Sequence, residues 1–400
     1  PAYCMQVISI VSVHFRKDNE PAPLKYEYIH RLVPHGGEYL RALIDLGVIV
    51  RTGNAIPGQT SYRYSFAPEY QSRFISVPLK DTKFIRRIQT VFGEIREEAR
   101  RSVRANNEQV RFLERLRIEP GYVEVLDRHR TEVDRYNAMK AAAVRIENGE
   151  IHYSIDGTSG RFHSNITNLS KELRPYLRIN GHPLASVDVK NCQPYLTTVI
   201  LTNPSKVSWM TTSPEFSELL SRLTVNITEE DVQRYILLVA NGEIYEYLMA
   251  AFSEAGLELT RDETKVQVLR ILFARNRRPQ NEENALCRDV FRQHFPMVHK
   301  IFSKVRGNLR GDKFTSYKRF AILMQRLEAF LMLEVVLKRI RRELPNTIAI
   351  TVHDSVMTSV LTDDSKNVKA IITEELENFV GIRPRVKIET FSSEKIPQHY

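Results

Sequence analysis

The stretch Thr347 to Val360, TIAITVHDSVMTSV, leaves the chain little local choice. Ile348, Ile350 and Val352 alternate with small or polar residues as on a half-buried strand, and a second β-prone run, Val356 to Val360, follows after three residues. This spacing predicts a tight hairpin with His353, Asp354 and Ser355 at its tip. A carboxylate there is braced by sheet on both sides and stays reachable, as a metal ion or a reacting phosphate requires. An isolated HDS would read as an ordinary turn. A second strand, LASVDV, runs into Asp188 and turns one turn aspartate into a pair of strand-end carboxylates.

Composition limits what such a pair can do. Four hundred residues suffice for two or three domains, and 42% hydrophobic with 26% charged residues is the balance of a soluble globular protein. The net charge of +10, carried largely by arginine, points to a polyanionic partner such as nucleic acid. Cys4, Cys192 and Cys287 are far apart and lack metal-ligand spacing, so reduced thiols in a cytosol-like compartment are expected. No apolar run is long enough for a bilayer, and the N-terminus lacks a signal-peptide pattern. The expectation is an intracellular protein, cytoplasmic or nucleoid-associated, with no membrane partner.

Residues 1–80 read as a separate module. Helical patterns at Tyr26–Leu32 and Gly37–Leu46 are followed by a strand from Val48 to Val50, a turn around Pro57 and Gly58, and the strand SYRYSF. Helix, helix and a two-stranded wing is the order of a winged helix, which would bind DNA; a small α/β cap is the equal alternative. Residues 81–145 form an arginine-rich helical tract, with Phe84, Ile88, Val91 and Ile95, then Val110, Leu113 and Leu116, at helical spacing. Arg100, Arg101 and Arg104 could track a phosphate backbone, although interleaved glutamates equally suit a solvated surface.

After the Asn148–Gly149 turn, residues with chemical potential appear in order. TSGRFHSNITNL carries Arg161 on a glycine-containing loop, and Gln193 lies five residues beyond Asp188 at the start of a helix-like segment. In RDETKVQVLRILF, Arg261, Lys265, Leu269 and Phe273 recur every fourth residue, which places two cations and two apolar groups along one helix face. That face suits a nucleoside triphosphate; an amphipathic surface helix is the plainer reading. Met324 and Gln325 open a long helix, RLEAFLMLEVVLKRIRREL, that leads into the His353–Asp354 hairpin.

Taken in order, GRxxS at Gly160–Ser164, the strand ending in Asp188, RxxxKxxxLxxxF at Arg261–Phe273, Met324–Gln325 and VHDS at Val352–Ser355 resemble the polymerase domain of family A DNA polymerases and the related single-subunit phage-type RNA polymerases. FPMVHK and GEIYEYL look like its connecting helices. The resemblance covers roughly residues 150–400 and implies an α/β (α+β) right-hand fold. An antiparallel palm sheet and helical fingers would occupy 151–400, a helical thumb 81–150 and the winged-helix-like module 1–80. It implies that Asp188, Asp354 and the Val189 backbone carbonyl hold two Mg2+ ions, with Mn2+ as a substitute, and that Lys265 is the proton donor to pyrophosphate. Arg261 would meet the triphosphate, and Leu269 and Phe273 the nascent base pair. Arg161 and Gln325 would contact the minor-groove side of the primer terminus, and His353 would brace the primer strand. The implied partners are a primer-template duplex, nucleoside triphosphates and a processivity or replication factor.

The sequence departs from that family in informative places. Phe273 stands where tyrosine is usual, Ala274 where glycine is common, Leu269 where an aromatic residue or methionine is found, and Ser355 is the RNA-polymerase choice. Gln193 occupies the position where DNA polymerases place glutamate and RNA polymerases glycine; its bulk favours deoxynucleotides, whereas an amide accepting a hydrogen bond from a ribose hydroxyl would favour RNA synthesis or priming. No acidic exonuclease pattern precedes residue 150, so proofreading is not expected. The fingers between Asp188 and Asp354 are compact, which points to a partner for processivity, and encoding by a virus, phage or plasmid is a further expectation. An alternative of another class is a replication or transcription initiator that binds nucleic acid on a polymerase-like scaffold.

Overall fold

The computed structural model of the chain describes residues 2–13, 21–54, 61–77, 79–102, 107–307, 317–360 and 363–391. The expected Pro57–Gly58 turn and Arg104 lie outside these residues. The chain divides into two units, one of Pro1–Ser154, His163–Leu184 and Phe391–Tyr400, the other of Ile155–Phe162 and Ala185–Thr390. Helix and antiparallel sheet are mixed throughout, and no helix among the described residues is long and apolar enough to cross a membrane.

The first unit contains the helices Tyr26–Leu32 and Gly36–Asp45 and the antiparallel pair Ile49–Thr52 and Arg63–Phe66. A third strand, Ala22–Pro23, pairs with Arg63–Phe66, so the sheet has three strands where two were expected. The helix Ala2–Val13 escaped the sequence reading because AYCMQVISIVSV is apolar nearly all round and has no helical polarity pattern. Its Val7, Ile10 and Val11 share a core with Ile29, Leu40, Ile49 and Phe66, and Phe84 and Val91 of the helix Thr82–Ser102 enter the same core.

One expectation for the helical tract is corrected. Leu116 belongs to a short strand, Leu116–Ile118, paired antiparallel with Leu177–Ile179. The latter strand turns through Asn180 and Gly181, both at positive φ, into His182 and Pro183, the geometry an Asn-Gly hairpin favours. Arg100 is bound by Glu97 at 2.7 Å and Glu114 at 2.5 Å, and Arg31 by Glu94 and Glu98. These neutralised pairs favour the solvated-surface reading for Arg100.

In the second unit Ala185–Val189, the end of the strand His182–Val189, pairs antiparallel with Val386–Thr390, and the hairpin Ile350–Val352/Ser355–Ser359 lies on its other side. The helix Asp364–Val380 backs this sheet, and the helix Cys192–Thr202 packs against Lys318–Ala329 and Glu230–Ala240. Helices from Glu230 to Val305 surround Tyr235, which is fully buried and meets Phe291, Phe295 and Phe302 edge-on at 5.6–6.3 Å. Met324 and Gln325 lie within the helix Lys318–Ala329 rather than opening it. That helix passes through a π-helical segment, Phe330–Val336, before Leu337–Glu343.

Two buried arginines fix the end of the helix Arg261–Phe273. Arg306 donates to the carbonyls of Ile271 and Ala274, and Arg288 to those of Arg275, Asn276 and Arg277, so guanidinium groups satisfy carbonyls that the helix end and following loop leave unpaired. Burial and then the charges of Arg306, Arg288 and Arg292 lower the pKa of His299 from 6.5 to about 4, against the pull of Asp289. Between these values the unfolded chain binds a proton at His299 that the folded chain does not. Its contribution to stability is therefore complete above pH 6.5 and lost as pH falls toward 4. Denaturant midpoints should fall more steeply across this window for the parent than for His299→Gln; parallel curves would disprove the assignment.

Candidate active site

Strand alternation sets the acidic pair. Val187 and Val189 are buried, while Asp188 projects from the opposite face and is partly exposed. Its register partner across the antiparallel pair is Lys387, a same-face neighbour not identified from sequence. The Val189 N–H donates to the Asp354 carbonyl at 3.4 Å, which ties the end of one strand to the tip of the hairpin. Ser355 pairs with Val352, so the hairpin loop is two residues, His353 and Asp354, rather than the three expected. His353 has φ of 54°, and the Ser355 hydroxyl donates to the Val352 carbonyl at 2.9 Å. The strand before the loop is also more enclosed than its alternation suggested, with Ile350, Thr351 and Val352 all buried. Burial and then the charge of Glu328 raise the Asp354 pKa to about 7, with Lys265 and Arg161 acting in the opposite direction.

Glu328 is the principal site residue missed in the sequence. It is 2% exposed, and its Oε2 accepts from the Arg161 Nη2 at 2.7 Å and from the Gln193 amide nitrogen. Burial raises its pKa, while Arg161 and Gln193 oppose that shift. The available signal was an acid inside the apolar run LEAFLML, because a buried carboxylate needs a cationic or hydrogen-bonding partner. Arg161 is delivered by a clamped loop: the Asp156 carboxylate accepts from the Thr158 and Ser159 N–H groups at 3.1 and 2.8 Å, and the Arg326 guanidinium donates to the Thr158 carbonyl at 2.8 Å.

Gln193 is placed by a helix that is otherwise sealed. Cys192 and every residue from Pro194 to Leu201 are buried, and Gln193 alone in that span is partly exposed. Burial and then the charges of Asp354, Glu328 and Asp188 push the Cys192 thiol well above its ordinary pKa, with Arg161 acting in the opposite direction. Gln325 is partly exposed, one turn before Glu328 on the same helix.

The helix Arg261–Phe273 starts with a capping box between Thr260 and Glu263. Arg261 and Lys265 are exposed, whereas Leu269 and Phe273 are half-buried, with Phe273 against Phe320 at 5.4 Å. Arg261 donates to Glu246 at 2.7 Å and lies over the Tyr245 ring at 5.4 Å. Although burial raises the Glu246 pKa, its bonds to Arg261 and its own backbone and the charges of Arg261 and Lys190 bring it below the ordinary value. Lys190 is therefore a further cation near the sequence-derived pair.

Among the described residues, no group of three or more histidine, cysteine or acidic side chains forms a complete protein cage for a metal. Two carboxylates still fit magnesium, which commonly takes one or two carboxylates and completes its octahedron with water and substrate phosphates. Three residues beyond Asp188 in the chain, both polar atoms of the Asn191 side chain are buried without a hydrogen-bond partner. Acids on strand ends, with cations on a helix in the same unit, can bind a polyphosphate and stabilise charge that develops on it.

No protein-family model and no curated protein matches the sequence. Among solved structures, the chain is similar to the POL domain of Pol1 from M. smegmatis in complex with DNA primer-template and dNTP, at 11% identity and a TM-score of 0.30. The match covers 77% of this chain and 66% of that one, just under two thirds of its length.

Proposed function

We propose that this chain is a template-directed nucleotidyltransferase that extends a primer 3′ end, with deoxynucleoside triphosphates as substrates. The observation that supports this reading is the backbone bond from Val189 to Asp354, which ties the strand of Asp188 to the hairpin loop of Asp354, with Arg261 and Lys265 exposed on one helix of the same unit and the charge of Lys265 favouring ionised Asp354. In-line phosphoryl transfer needs little from a protein beyond such positioning and charge stabilisation. Asp188, Asp354 and the Val189 carbonyl would hold two Mg2+ ions, with Mn2+ as a substitute; when bound, these supply Lewis-acid stabilisation of charge on the reacting oxygens.

Arg261 exchanges Glu246 for phosphate oxygens. Lys265 donates the proton to the leaving pyrophosphate, and Leu269 and Phe273 form an apolar ledge for sugar and base. Arg161 and Gln325 face the minor-groove side of the primer terminus, and His353 braces the primer strand. The stem of Gln193 fills the space beside C2′ of the incoming sugar, where a ribose hydroxyl would clash. Residues 151–400 then serve as palm and fingers, 81–150 as thumb, and 1–80 as an accessory module for the duplex, with processivity assisted by a partner.

Primer extension on DNA and RNA templates, with dNTPs or NTPs, tests the reading. Complementary, divalent-cation-dependent incorporation of dNTPs is expected. Incorporation of NTPs alone would retain the transfer chemistry and reassign the chain as an RNA polymerase or primase; no templated incorporation with either would overturn the proposal.

A further inference from the structure

Gln193 carries its proposed role on an unbranched side chain that could swing aside, and a steric barrier excludes nothing if it rotates out of the way. Its amide nitrogen is bound to Glu328, which the helix Lys318–Ala329 holds between buried Leu327 and Ala329. Arg161 supplies the countercharge at 2.7 Å from the same carboxylate oxygen, and its loop is fixed by the bond from Arg326 to Thr158. The shared carboxylate oxygen, itself held by Arg161, fixes the amide in one orientation.

We propose that Glu328 is a positioning residue for sugar selection, locking Gln193 across the C2′ side of the nucleotide site so that ribonucleotides are excluded by an immobile group. The inference rests on the polymerase reading above. Because Oε2 of Glu328 accepts from both Arg161 and Gln193, the lock joins the residue proposed at the primer terminus to the residue proposed at the incoming sugar. Any loss of the acceptor frees Gln193 without changing its size.

The test is single-nucleotide incorporation, with kcat/KM for matched dNTP and NTP measured for the parent, Glu328→Gln, Gln193→Leu, Gln193→Gly and the double variant Gln193→Gly/Glu328→Gln. Glu328→Gln leaves one neutral acceptor oxygen, for which Gln193 must compete with Arg161, and should raise the NTP-to-dNTP ratio about tenfold, the scale of one hydrogen bond weakened by that competition. Gln193→Leu keeps the bulk, leaves the Glu328–Arg161 pair in place and is expected to leak ribonucleotides similarly, which keeps the proposal testable if Glu328→Gln folds poorly. In the Gln193→Gly background, Glu328→Gln should leave the ratio unchanged, since its effect passes through the missing side chain. Equal losses for both sugars, or a selective fall in NTP use, would overturn the lock while leaving the polymerase reading intact. A parent that incorporates no nucleotide overturns both.

Discussion

Asp354→Asn and Asp188→Asn are each expected to lower nucleotide incorporation by about a thousandfold or more, because several kcal/mol of charge stabilisation in the transition state corresponds to that factor. The isosteric amide removes the negative charge from a strand end that backbone pairing holds in place, so the fold and primer-template affinity should remain close to the parent's. Asp354 is the sharper case. Burial and Glu328 already work against its ionised form, and a polyphosphate-bound cation would favour that form. Single-turnover extension, with circular dichroism and duplex binding as controls, measures the effect; either variant within tenfold of the parent would remove the acidic pair from the chemistry.

Lys265→Ala is expected to reduce kcat/KM by roughly a hundredfold or more, the range for loss of a general acid, with little change in affinity for primed template. Arg261→Ala should act mainly through KM and by less. Its guanidinium is bound to Glu246 at 2.7 Å, so a phosphate must replace an existing partner and the net gain on binding is smaller. Pre-steady-state kinetics over a range of nucleotide concentrations separates the two effects. Loss of duplex binding with normal nucleotide kinetics in both variants would make this helix a nucleic-acid contact surface and sink its assignment to the triphosphate.

Sequence alone determined the features that depend on near neighbours. The alternation around Asp188 and Val352–Val360 specified strands, and the four-residue spacing from Arg261 to Phe273 specified one helical face. The structure contains the corresponding strands, hairpin and helix because backbone periodicity is a local property. Local pattern was less reliable where a segment is buried on every side. The apolar Ala2–Val13 helix had no polar face to mark its period, and the Ile350–Val352 strand proved more enclosed than alternation implied. Tertiary structure alone decided that Asp188 lies opposite Lys387, that Arg306 caps the end of the helix Arg261–Phe273, and that Glu328 meets Arg161 and Gln193. Glu328 lies 167 residues from Arg161 and 135 from Gln193, so no local pattern encodes either pairing. Burial makes the carboxylate require partners, but only the folding of the chain determines which donors reach it.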